Sequence, residues 1–349
     1  MKKTVSLLLT LALCASLACA LPASAADQVT LNVYNWGDYI DPDTLDIFEQ
    51  RTGIRVNYEL YETNEDMYTK LKMTSTSYDV VFPSDYMVER MIQEKMLLPL
   101  DYTAMPNTEQ IDPRFLNQTY DPASAYSVPY TWGTMGILYN PTLVDEAPAS
   151  WGSLWDEQYA GNILMLNSPR DTIGITLKHL GYSLNSLDEN ELAEAKQALI
   201  DQSPLVLAYV VDEVKDKMIA GEGSVALVWS GDAQYCMTEN EELAYMVPEE
   251  GSNLFFDAIC IPTSSKNPVE AAMFIDFLCE PEIAMQNYLY VGYAIPNMGA
   301  IALMGEEYED SMVSNPPQDI LNRCEVFTNL GDGARVYDRI WTEIITSIY

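Results

Sequence analysis

From residue 29 onward, stretches with the two-residue period of strands alternate with stretches of helical period. Apolar residues alternate from Val29 to Val33. A helix is expected after Pro42, with Leu45 and Phe48 on one face and Thr52-Gly53 at its end. Alternation resumes over Ile54–Tyr58, a helix is expected from Glu65 to Met73, and the apolar run Tyr78–Phe82 reads as a buried strand. This β-α-β-α-β order is that of an open α/β sheet. Further strands are expected at Ile137–Tyr139, Ile163–Leu166, Leu205–Val210, Val225–Trp229 and Ala258–Ile261. Asn267-Pro268-Val269-Glu270 reads as a helix start, with a cap, a proline at the first helical position and a glutamate three after the cap. Ligands of open α/β sheets bind beyond the carboxyl ends of the strands. That rule directs attention to Trp36–Tyr39, Ser84–Tyr86, Trp229–Asp232 and Phe255–Asp257.

Residues 1–25 stand apart. Lys2 and Lys3 precede an apolar stretch, Val5 to Ala18, that is too short to span a bilayer. Ala23-Ser24-Ala25 supplies the small residues of a cleavage site, so the segment reads as a secretory signal peptide. Ser16-Leu17-Ala18-Cys19 is a weaker alternative, a lipid anchor at Cys19. Either places the mature chain at the periplasmic or extracellular face of the membrane. About 320 residues remain, more than one core usually serves, so two lobes are expected. No long Gly/Ser linker occurs, so strand crossovers must join them.

The formal charge is −34 and becomes more negative when Lys2 and Lys3 leave. Such a surface repels nucleic acid and anionic membranes, and its field favours cationic partners. The mature cysteines, Cys236, Cys260, Cys279 and Cys324, match no metal spacing. Cys260 and Cys279 read as buried small hydrophobes, while Cys236 and Cys324 are left open to pair. The single histidine, His179, cannot support a histidine-rich metal site, and a Ser-His-Asp triad is hard to build around it. No metal, cofactor or catalytic constellation is expected.

A strand ending in Tyr34-Asn35-Trp36-Gly37-Asp38-Tyr39 offers ring faces, one carboxylate and a glycine that admits close approach. Similar aromatic-acid clusters recur at Trp229–Asp232 and Phe255–Asp257. Each residue also has a structural reading. Trp36 and Trp229 fit a core, Asp38 and Asp232 fit turns, Asp171 fits a helix cap and Tyr293 fits packing. Asp257, between Phe256 and the apolar Ala258–Ile261 strand, is the acid most costly to bury without a partner.

Nearly end to end, the chain resembles the polyamine-binding proteins of bacterial ABC importers, the spermidine/putrescine-binding family. The resemblance runs through Asn35-Trp36, Tyr61-Glu62-Thr63-Asn64-Glu65, Tyr78-Asp79-Val80-Val81-Phe82-Pro83-Ser84 and Tyr126-Ser127-Val128-Pro129-Tyr130-Thr131-Trp132-Gly133. It continues through Trp229-Ser230-Gly231-Asp232, Phe255-Phe256-Asp257 and Gly292-Tyr293-Ala294-Ile295-Pro296-Asn297. It implies an α/β, two-lobed periplasmic-binding-protein-like fold of type II, each lobe an open mixed sheet flanked by helices, with the ligand cleft between. Residues 26–134 and 258–300 would form lobe 1, and 135–257 and 301–349 lobe 2.

By the same resemblance Trp36, Asp38 and Tyr39 form one wall, with Asp38 pairing an ammonium, and Ser84 and Tyr86 line that lobe. Asp171 supplies an acid from the other lobe. Trp229 stacks on the methylene chain near Asp232, Phe255 adds an aromatic wall, Asp257 pairs an ammonium and Tyr293 completes the rim. The implied function is a non-catalytic, monomeric receptor that delivers a polyamine, putrescine or spermidine, to a membrane permease. Spermidine-preferring members carry an acid at the position of Ser168 and an amide near Phe327, and this chain has neither. That charge pattern leans to putrescine. Asp85 is read as an exposed turn acid, with an acid near the cleft as the alternative, and Tyr288 and Tyr290 as lying off the cleft. A carboxylate-dependent hydrolase and a same-fold receptor for another solute, such as ferric ion or a sugar, are the rival readings.

Overall fold

The computed structural model describes residues 28–73 and 75–348. The signal segment 1–25 and the alternative anchor at Cys19 lie outside these. Among the described residues, no helix is long and apolar enough to cross a membrane.

The chain opens as its periodicity predicts. β1 (Thr30–Trp36) leads to α1 (Pro42–Thr52), β2 (Arg55–Tyr61), α2 (Asn64–Met73), β3 (Val80–Val81) and α3 (Asp85–Gln93). Proline at the start of α1 needs no amide, the Asp41 side chain caps that start, and Gly53 closes the helix at φ 73°. β1 pairs in parallel with both β2 and β3. Its Leu31 and Val33 face one apolar cluster with Phe48, Phe274 and Ile275. Tyr34 faces the other, with Tyr78, Val81, Met87 and Met91. Burying side chains of this size stabilises the fold by roughly 1.5–3 kcal/mol each.

β4 is much longer than its predicted piece, running from Ser127 to Tyr139. Pro129 and the glycines at 133 and 136 disguise it as a loop. Pro129 is tolerated because the register against β9 (Leu254–Cys260) shifts between it and Thr131. Gly133 is required because a Cβ there would strike the Ser230 hydroxyl and the Phe255 ring.

The second lobe is built from β5 (Ile163–Leu166), α4 (Pro169–His179), α5 (Glu189–Gln202), β6 (Val206–Val210), α6 (Glu213–Ile219), β7 (Val225–Trp229), α7 (Ser230–Glu239) and β8 (Ala244–Met246). Val225 and Leu227 of β7 face a cluster with Ile163, Met165 and Leu199. Ala226 and Val228 face a second, with Val214 and Met218. A strand buried on both faces reads as a continuous apolar run, as β7 does.

The sheet order is β2-β1-β3-β9-β4-β7-β5-β6, with β8 on β4. β4 changes partner within its length: Thr134 still faces Leu254 of β9, whereas Met135 faces Trp229 of β7. The two lobes therefore meet along the β4–β9 pair. α8 (Pro268–Leu278) and α9 (Pro281–Val291) then return to the first lobe. The chain stays there past residue 300, since Tyr308 packs with Ala284, Ile295 and Ala300. The C-terminal helix Ala334–Ile348 closes the second lobe through Tyr337, Trp341 and Ile344.

One detail differs from expectation, and one alternative left open is decided. Asn267 does not cap α8 with its side chain; it bonds the Thr30 carbonyl and Asp79, which itself accepts from the Lys266 and Asn267 amides. Cys236 and Cys324, left open to pair, are both free thiols, as are Cys260 and Cys279.

Candidate functional site

A cleft of about 770 Å³ opens between the lobes. The turns after β1, β3, β5 and β7 line it, as the rule for open sheets requires. All eleven sequence-predicted residues reach it: Trp36, Asp38, Tyr39, Ser84, Tyr86, Asp171, Trp229, Asp232, Phe255, Asp257 and Tyr293. Among the described lining residues, eleven are Asp or Glu, while the cations are Arg170 and Lys215.

Asp257 lies on β9, only 5% exposed. Tyr39, at the far end of the turn after β1, donates its hydroxyl to Oδ2. Thr131, the neighbour of Asp257 on β4, sits 2.5 Å from the same tyrosine oxygen. Tyr39 has one proton and gives it to the acid, so Thr131 donates to Tyr39. The other carboxylate oxygen, Oδ1, is buried with no hydrogen-bond partner. Burial pushes the Asp257 carboxyl up to about 6, against the nearby Ser84, Tyr39 and Thr131 hydroxyls. A buried carboxylate with an idle oxygen at a cleft is costly until a cation reaches it.

Asp232 lies in the first turn of α7, 6% exposed, and accepts from the Tyr293 hydroxyl at 3.1 Å. Burial pushes this carboxyl up to about 6 as well, with Lys215 pulling down and Asp212 pushing up. Tyr293 is fixed because Gly231 leaves room for it; a Cβ there would enter the ring. Tyr39 and Tyr293 meet edge to face at 5.0 Å, so two tyrosines connect the two acids.

The aromatic walls are partly open to the cleft. Trp36 is half-buried against Tyr61 and donates its indole N–H to the Phe82 carbonyl. Trp229 packs against the clusters of both lobes. Phe255 meets Tyr293 at 6.1 Å. Tyr86 is held by Asn64 and donates to Glu65, and its ring meets Phe327. Asn64 also holds the Ser84 hydroxyl. Asp171, in the first turn of α4, accepts from Ser168 at 2.5 Å, and burial raises its carboxyl.

Asp38 is placed differently from the inner acids. It is 65% exposed, takes a left-handed backbone at φ 46°, and its Oδ2 is 2.8 Å from Lys215 Nζ. Lys215 comes from α6 of the other lobe, so this ion pair crosses the cleft.

Several lining groups escaped sequence reasoning. Asp85 is fully buried and accepts from the Tyr86 and Phe256 amides, correcting its reading as an exposed turn acid. Burial holds its carboxyl well above the usual range. Only the approach of β9 to the start of α3 reveals this, and no local pattern encodes that approach. Tyr288 and Tyr290 line the cleft rather than lying off it, because the end of α9 turns toward α7. Glu65 lines the cleft from the first turn of α2, beside Asn64, and that place next to Asn64 is the signal the sequence offers for it. Arg170 stacks on Phe327 and Tyr337 with its guanidinium nearly buried. Nothing in the local sequence separates Lys215 from Lys217, which faces solvent and pairs with Glu222. Among the described residues, no cluster of three or more His, Cys, Asp or Glu is arranged to hold a metal ion.

Comparison with known proteins agrees with this geometry. The family model described as bacterial extracellular solute-binding protein matches residues 43–314. The spermidine/putrescine-binding periplasmic protein of Escherichia coli K12 is 34% identical, over 92% of this chain and 93% of its own. The putrescine-binding periplasmic protein PotF of the same organism is 31% identical, over 92% of each. Among solved structures, a putative spermidine/putrescine ABC transporter protein from Listeria monocytogenes superposes with a TM-score of 0.88 at 40% identity, covering 90% of this chain and 98% of that one. The chain belongs to the bacterial extracellular solute-binding proteins and, within them, to the family of the spermidine/putrescine-binding proteins.

Proposed function

We propose that this chain is an extracytoplasmic receptor that captures a polyamine, putrescine or spermidine, between its lobes and delivers it to the permease of an ABC importer. One observation carries the reading: Asp257 presents a buried, unpartnered carboxylate oxygen to a cleft walled by aromatic rings and lined by eleven acids. The names of the relatives, which are polyamine binders, support it.

An arriving ammonium replaces its water shell with Asp257 Oδ1 and the ring faces around it. Its charge favours the ionised carboxylates, so Asp257 and Asp232 release protons as ligand enters. Trp36, Trp229, Phe255 and Tyr293 cover the methylenes. The lobes close by a hinge at the crossover residues 131–135 and 256–258, a motion of the kind seen in periplasmic binding proteins. The partner change of β4 between Thr134 and Met135 supports a lobe boundary there. The second lobe takes up the chain again beyond Tyr308 rather than at residue 301. The receptor acts without catalysis, as a monomer, exported by its signal segment.

The test is a thermal-shift panel on residues 26–349, unfolded and dialysed to strip carried-over ligand. Putrescine, spermidine, lysine and a sugar are compared. A polyamine at about 100 times its Kd adds roughly 2.7 kcal/mol of stability. No shift with either polyamine rejects the reading.

A further inference from the structure

Lys215 belongs to the second lobe, yet its ammonium lies 2.8 Å from Asp38 Oδ2 in the first. Asp212 Oδ1 is 3.9 Å away. Asp232 faces the same ammonium and, with Asp38 and Asp212, raises its proton affinity against the opposing pull of burial. The side chain is only 12% exposed, and Nζ lies 5.9 Å from the Tyr235 ring. An alkyl stem ending in an ammonium near an aromatic ring and among carboxylates has the chemistry of one end of an alkyl amine. A pair with so exposed an aspartate adds little stability, so packing alone does not account for it.

We propose that Lys215 is a tethered ammonium that fills the outer amine position of the cleft, so that a two-amine ligand completes the site and a third amine is disfavoured. This rests on the polyamine reading above. With Asp38 and Asp212 engaged by Lys215, Asp257 and Asp232 remain for the ligand, linked through Tyr39 and Tyr293. A third ammonium extended past Asp232 meets Lys215. On the side of Asp171, Arg170, stacked on Phe327, adds a second positive charge to the lining. Like charges in a closed cleft repel strongly, and that repulsion selects by length and charge count. Acid content alone would favour the more highly charged amine; the built-in cation reverses this.

The test is calorimetric titration of putrescine and spermidine into stripped residues 26–349, as wild type, Lys215→Met and Lys215→Arg. Wild type is expected to prefer putrescine. Lys215→Met shifts the affinity ratio toward spermidine at least tenfold, while Lys215→Arg, which keeps the charge, retains the diamine preference. Lys215→Gln, neutral and polar, gives the same shift as methionine and stands in if the methionine variant does not fold. Polyamine binding with an unchanged ratio in the neutral variants overturns this inference alone, as does a wild type that prefers spermidine. A wild type that binds neither amine overturns the polyamine reading and this inference with it.

Discussion

The two ends of the cleft hold similar acids in different company. Asp257 has a tyrosine on one oxygen and nothing on the other, with hydroxyls around it. Asp232 also has a tyrosine, but beyond it stand Lys215, Asp212 and Asp38. Both carboxyls are pushed by burial to about 6. One end is an acid awaiting a cation, and the other already holds a cation belonging to the protein. Burial sets the need for positive charge, and the neighbours decide how much of it the ligand must supply.

Asp257→Asn is expected to have the largest effect. It removes the acid whose second oxygen has no partner, and truncating a buried charge partner costs on the order of 2–5 kcal/mol of binding. Calorimetry should show putrescine affinity lower by at least thirtyfold, and a smaller loss would erase the distinction between the ends. Asp232→Asn should cost less, about 1.5–3 kcal/mol, the scale of a hydrogen bond to a charged group.

Acidification probes both ends together. The folded carboxyls titrate near 6, above roughly 3.9 in an unfolded chain. Their contribution therefore favours folding most below about pH 4 and is lost as pH rises through 6. At pH 7.5 each costs the ligand-free protein roughly 2–3 kcal/mol. The ligand-free Tm should rise between pH 7.5 and 5. The increment that putrescine adds should shrink over the same range, because the ammonium needs both carboxylates ionised. A ligand increment that grows toward pH 5 would contradict this. The smallest effect belongs to Lys217→Met, whose exposed pair with Glu222 is worth under about 1 kcal/mol. It should leave the putrescine-to-spermidine affinity ratio unchanged in the same titration, in contrast to Lys215.

Much of this was legible in the sequence. β5 and β7 fall on their predicted residues, and α1 starts at its proline and stops at its glycine. Periodicity and caps are local, so they read well. β4 was recovered only at its end, because its proline and glycines suit a bulge and close approaches that exist only once β9, α7 and Tyr245 are in place. Aromatic-acid clusters at strand ends pointed to the cleft. The burial of Asp85 and the pairing of Lys215 did not show, since the first depends on β9 and the partner of the second lies 177 positions away. Charges paired across lobes leave no local signature.

A crystal structure of stripped residues 26–349 soaked with putrescine tests the central claim most directly. An amine nitrogen should lie about 2.7–2.9 Å from Asp257 Oδ1, with the methylenes between Trp229 and Phe255. Ordered putrescine in the cleft with no nitrogen near Asp257, or a cleft that stays empty at saturating ligand, would contradict it.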